Sequence, residues 1–169
     1  TIDEIRNYAY SYLEKYSPSK QQLRIFLFKK LIKKKQKISS KREVFNLIDS
    51  VISTLTDQKL LSDKYYSDVK SKAFLRRGYS LNKIRYNLIK KGIDQKYIKA
   101  SISKIKENES DPDFFSAIKL CKRRRIGPSR EENNRSLFYK KDISILARSG
   151  FDYELSKKIL EIPKEEFKK

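Results

Sequence analysis

The chain has 169 residues of which 38% are hydrophobic, a lean supply for one deep core and better matched to several small stacked modules. The 41 Lys and Arg outweigh 21 Asp and Glu, a formal charge of +20, so the field draws polyanions, and nucleic acid or an assembly containing it is the expected partner. With no histidine and a single cysteine, Cys121, a disulfide framework is excluded and the commonest general base and metal ligand is missing.

No apolar run approaches the roughly 20 residues that span a bilayer, so no membrane partner is expected. Nothing assembles a nucleophile, a base and an orienting group, and no Gly-rich phosphate loop is present. The chain is expected to be no enzyme and to need no cofactor or metal. A monomer is expected, because +20 copies repel one another.

The elements follow in chain order. Thr1-Ile2-Asp3-Glu4 has the form of a capping box, and Ile5, Ala9, Leu13 and Tyr16 continue a helical stripe to Ser17-Pro18. A second helix starts at Ser19, with Leu23, Leu27 and Leu31 at fourfold spacing, and runs into the lysine cluster 33–37. Ser40 and Glu43 form another box for a helix carrying Val44, Leu47, Ile48, Val51 and Leu55.

A helix from Ser62 or Asp63 follows, with Tyr66, Val69 and Ala73 facing inward. Gly78 and Gly92 can take the left-handed conformation that ends a helix, and Ser80 and Asp94 then cap the next one. Between these turns Leu81, Ile84, Leu88 and Ile89 share one arc, with Lys83, Tyr86 and Lys90 across from it. The helix after Asp94 buries Ile98, Ile102 and Ile105, and residues 107–111 read as a connection.

Asp111-Pro112 caps a helix that holds Cys121 as a small core residue, runs to about Ile126 and closes at Gly127-Pro128. Residues 129–135 read as a polar exposed loop. From Ser136, Leu137, Ile143, Leu146 and Ala147 mark a helix stopping at Gly150, after which Asp152 caps a short helix that Pro163 ends.

These elements repeat. Leu23-Arg24 with Leu27 parallels Ile84-Arg85 with Leu88, each pair four residues after a capping serine, Ser19 or Ser80. Lys91-Gly92-Ile93-Asp94 parallels Ser149-Gly150-Phe151-Asp152. The expected fold is all-α: three tandem three-helix repeats, 1–57, 58–109 and 110–169, stacked into an elongated, curved, solenoid-like array. The first repeat lacks the glycine turn, so its second helix is expected to run longer.

The run Leu61-Ser62-Asp63 with Tyr66, then Arg76-Arg77-Gly78-Tyr79-Ser80 with Ile84-Arg85 and Leu88, then Lys91-Gly92-Ile93, resembles the central repeat of the bacterial RecX family. Arg123-Arg124-Arg125-Ile126-Gly127-Pro128 and the stretch from Leu146 to Tyr153 resemble third-repeat signatures of that family, particularly in alphaproteobacteria. The resemblance covers nearly the whole chain. It implies a cytoplasmic bacterial protein that binds the RecA filament on single-stranded DNA, and in second place double-stranded DNA. It further implies lower RecA ATPase and strand exchange, within DNA repair and the SOS response.

The candidate contacts with RecA or DNA are Arg76, Arg77, Lys83, Lys90, Lys91, Arg123, Arg124, Arg125, Lys33, Lys34, Lys35, Lys140, Lys141 and Arg148. Asp63, Gly78, Ser80, Ile84, Arg85, Leu88, Gly92, Asp94, Gly150 and Asp152 are assigned to the fold. Arg24 and Arg85 are expected to pack their stems and pair with acids of neighbouring helices. Tyr79 and Tyr86 are candidates for base stacking, weighed against ordinary core-edge packing. The alternative function is a general DNA-binding or transcriptional regulatory protein of helix-turn-helix type, with Asn82 and Lys83 near the start of a recognition helix.

Overall fold

The computed structural model describes residues 2–34 and 40–167, so the Thr1 cap and Lys35, with the rest of the lysine cluster beyond Lys34, lie outside the described residues. The described chain is all helical: α1 Ile2–Lys15, α2 Lys20–Lys33, α3 Lys41–Asp57, α4 Asp63–Arg76, α5 Leu81–Lys90 and α6 Gln95–Asn108. Then come α7 Pro112–Arg124, a 3-10 turn Gly127–Ser129, α8 Glu132–Leu137, α9 Tyr139–Arg148, α10 Tyr153–Leu160 and α11 Lys164–Phe167.

Local chemistry sets most of these boundaries. Ser19 accepts the Gln22 N–H while the Gln22 side chain accepts the Ser19 N–H at 2.9 Å, a reciprocal box that opens α2. Ser40 accepts the Glu43 N–H to open α3, and Asp152 accepts the Leu155 N–H to open α10. The glycine turns share one geometry: Gly78, Gly92 and Gly150 sit at φ 86°, 79° and 93°. After each, Tyr79, Ile93 or Phe151 donates its N–H five residues back at 3.1 Å, which satisfies a carbonyl the ending helix leaves open. In line with its missing glycine, α2 has 14 residues against 10 in α5.

Two compact units emerge, Thr1–Asp68 with Leu88–Tyr97, and Val69–Asn87 with Ile98–Lys169. In the first, Ile5 and Ala9 of α1, Leu23 and Leu27 of α2, and Val44, Ile48, Val51 and Leu55 of α3 meet in one core. In the second, Ala117, Leu120 and Cys121 of α7 meet Leu146 of α9, Ile159 of α10 and Phe167 of α11. Each fully buried Leu or Ile contributes about 1.5–3 kcal/mol, so these short helices are held by tertiary packing more than by propensity.

Several expectations are corrected. Residues 129–135 are not a simple loop: Ser129 ends the 3-10 turn and 132–135 belong to α8, with Arg130 and Arg135 partly buried while 131–134 stay exposed. The next helix starts at Tyr139 rather than Ser136, which leaves Leu137 on α8 and 73% exposed. Ile89 and Val69 face outward, at 49% and 42% exposure, because the buried arcs of their helices are narrower than their apolar residues suggest. Tyr16, Leu47 and Phe115 are likewise exposed. Asp111 starts α7 in a left-handed conformation at φ 50° and makes no side-chain cap. Beyond Pro163 the chain forms α11 and buries Phe167.

Candidate nucleic-acid interface

The basic helices are positioned by a junction that occurs twice. At the start of α2, the Ser19 hydroxyl donates to the Lys91 carbonyl at 2.8 Å and the Lys20 N–H donates to the Asp63 carboxylate at 2.9 Å. At the start of α5, the Ser80 hydroxyl donates to the Ser149 carbonyl at 2.7 Å and the Leu81 N–H donates to the Asp113 carboxylate at 2.8 Å. The same serine, helix N-terminus, carboxylate and pre-glycine carbonyl thus meet in both compact units. Burial raises the Asp113 carboxyl above its usual range, against the pull of the Leu81 N–H and of the nearby Arg85 and Lys106.

The turn glycine belongs to each junction. A Cβ on Gly92 would run into the Gln21 side chain, and one on Gly150 into the Ser80 hydroxyl. Asn82, two residues after Ser80 as Gln21 is two after Ser19, donates to the Gly150 carbonyl at 3.2 Å. These contacts give Asp63, Ser80, Gly92 and Gly150 roles in packing.

The candidate cations divide by what they already touch. Arg76, Arg77, Lys91, Lys33, Lys140 and Arg124 are exposed and form no ion pair among the described residues. Lys90 is exposed as well. Arg123 is instead engaged, donating at 2.6 Å to the Arg77 carbonyl just past the end of α4. Arg125 is exposed and takes a left-handed φ of 57° as the C-cap of α7. Lys34 lies 3.6 Å from Glu4 and over the Tyr8 ring, and its ammonium is held above its ordinary value first by the hydrogen bond to Tyr8. Arg148 donates to the Ser144 carbonyl at 3.3 Å, and Lys141 stands 5.9 Å from the Phe138 ring.

Lys83 does not reach freely outward. Its ammonium sits 4.0 Å over the Tyr79 ring, which is itself stacked on Phe74 at 5.1 Å. Tyr79 therefore packs within the unit rather than offering an open face to a base. Arg85 bonds to Asn82 at 2.9 Å and forms no ion pair among the described residues, whereas Arg24 makes the expected pairing with an acid, a two-pronged bond to Asp49 at 2.8 and 3.2 Å. Asn82 and Lys83, the residues that a recognition helix would turn toward bases, are thus both occupied in packing.

No family model matches the chain. Over 164 residues, 93% of this chain and 84% of the relative, it is 26% identical to the regulatory protein RecX of Myxococcus xanthus. It is 30% identical over 133 residues to the regulatory protein RecX of Clostridioides difficile, spanning 76% of this chain and 58% of that relative's length. The crystal structure of RecX from Lactobacillus salivarius aligns with a TM-score of 0.66 at 19% identity, covering 95% of this chain and 94% of that one. By sequence over most of its length and by fold, the chain is similar to proteins of the RecX family. A second solved RecX superposes with a TM-score of 0.67 at 17% identity, over 95% of this chain and 72% of that one, which extends the agreement in fold. The matched relatives share the RecX name; they lend nothing to the alphaproteobacterial subgroup.

This RecX-like chain also contains a polar centre that its sequence did not announce. Asp142 is fully buried and accepts from the Gly127 N–H at 2.9 Å and from Arg130 at 2.8 and 2.9 Å. Arg135 donates to the Leu160 and Ile162 carbonyls at 2.7 Å each and so covers the open end of α10. The only available sign was two arginines in a segment otherwise read as loop. Among the described residues, no group of side chains could hold a metal ion and no helix is long and apolar enough to cross a membrane.

Proposed function

We propose that the chain binds the RecA filament on single-stranded DNA and regulates it, chiefly by lowering its ATPase and strand exchange. The observation that carries this reading is the relation to proteins called regulatory protein RecX over 93% of the chain. Cations exposed on several helices supply weak contacts to a polyanion, and tethering them in one chain raises their effective concentration on a repeating target. Hydrolysis of ATP belongs to RecA. The protein acts as a monomer in the bacterial cytoplasm.

The test is the strand-dependent ATPase of the cognate RecA while this chain is titrated below one copy per RecA. Inhibition reversed by extra RecA, and not by extra single-stranded DNA, is the expected result. Absence of inhibition overturns this reading, and inhibition abolished by extra DNA means that the chain only competes for the strand.

A further inference from the structure

Helix α2 is apolar on two sides. Leu23 and Leu27 fill the core, while Ile25 and Ile32 stand 45% and 44% exposed with Phe28 half-buried between them. Positions 25, 28 and 32 lie one turn apart and form a stripe along the helix. The stripe borders a groove of about 860 Å³ whose other wall includes Phe45 and Ile52 of α3.

The rim of this groove is cationic. Two carboxylates reach it and both are engaged, Asp49 with Arg24 at 2.8 Å and Asp63 with the Lys20 N–H at 2.9 Å. Lys20, Lys29 and Lys33 border the groove and make no ion pair among the described residues. Bases need open aromatic faces to stack on. Here Phe28 stacks on Phe45 at 4.3 Å and the Arg24 guanidinium covers Phe45 at 4.2 Å, so the open surface is isoleucine. A second copy of the chain would bring the same positive rim and be repelled.

We propose that this groove receives an acidic amphipathic helix of a protein partner. Apolar side chains at helical spacing meet Ile25, Phe28 and Ile32, and flanking carboxylates meet Lys20, Lys29 and Lys33. Resting on the function proposed above, that partner is a RecA subunit of the filament. Other cationic faces are then left to meet the strand.

The experiment compares wild type with the pair Ile25→Ser and Ile32→Ser, by fluorescence anisotropy against the RecA filament and against bare single-stranded DNA at moderate salt. Affinity for the filament is expected to fall about tenfold or more, with bare-strand affinity unchanged. The pair Ile25→Gln and Ile32→Gln, confined to exposed positions, keeping the net charge and suiting a helix better than serine, gives the same readout should the serine pair unfold. Equal loss on filament and bare strand overturns the proposal in favour of a DNA site. No loss on a filament that wild type binds overturns the groove alone. A dimer that these substitutions dissociate assigns the groove to a second copy and likewise overturns it. If wild type shows no preference for the filament, the functional reading falls, and a Glu- and Leu-based helical peptide of about four turns decides the groove separately. Binding of that peptide by wild type and not by the variants supports the groove; no binding overturns it.

Discussion

Gly92 and Gly150 meet the same two demands at matching places. Each takes a positive φ, and each lies where a methyl group would strike the start of another helix, Gln21 in one case and Ser80 in the other. Gly150→Ala is expected to destabilise the chain by about 1–3 kcal/mol, read as a shift in the urea midpoint. Cys121 shows the opposite kind of confinement. Burial, with the Asp142 charge nearby, pushes its thiol from an ordinary value of 9.0 up to about 12. The folded state therefore keeps the proton that the unfolded state loses first. Its contribution to stability is full below pH 9.0 and is lost as the pH rises toward about 12. At pH 8 the native thiol should not react with a disulfide reagent, and unfolding in urea should release that reactivity. Prompt reaction of the folded protein would show that Cys121 is open to solvent.

Among the elements, the serine caps fall into two groups. Ser40 closes only its own helix and is exposed, whereas Ser80 is fully buried, caps α5 and also donates to the Ser149 carbonyl. Ser40→Ala removes one local bond and should cost about 0.5–1 kcal/mol. Ser80→Ala also leaves the Ser149 carbonyl without this donor and should cost about 2 kcal/mol or more. Paired urea titrations read the difference directly, and equal losses would mean that the junction adds nothing to the cap. The buried bond between Asp142 and Arg130 belongs to this scale as well: it folds the 3-10 turn back onto α9 and turns a polar stretch into structure.

For the whole molecule, the charge of +20 and its division between engaged and open side chains govern binding. Arg124 and Lys140 are exposed and unpaired among the described residues, so Arg124→Gln with Lys140→Gln removes charge without removing packing. If both touch phosphate, affinity for single-stranded DNA should weaken and its log–log salt slope should fall by about 0.7 per contact, with the unfolding midpoint unchanged. Arg123→Ala should instead lower that midpoint, since it strips a donor from the Arg77 carbonyl. Moderate salt should weaken binding to the bare strand before it weakens binding to the proposed filament target, where protein contacts add to the phosphate ones.

Helix starts and stops were legible because a serine cap or a glycine turn acts within four or five residues, and the charge excess is set by composition alone. The family motifs were legible for the same reason: Arg76 to Ser80 and Lys91 to Ile93 are contiguous. Their partners were not. Lys83 and Arg123 stand among the contact candidates, and the fold sets one over Tyr79 and bonds the other to a carbonyl 46 positions away. The segment 129–135 looked like loop because nothing within a helical turn says that Arg130 meets an aspartate 12 residues on. By itself, then, the sequence determined where the helices marked by serine caps and glycine turns begin and end, that they repeat, and that the molecule carries a field that draws polyanions. Only the tertiary structure decided which cations remain open and which apolar residues stay uncovered, because those outcomes depend on which distant groups packing brings within hydrogen-bonding range.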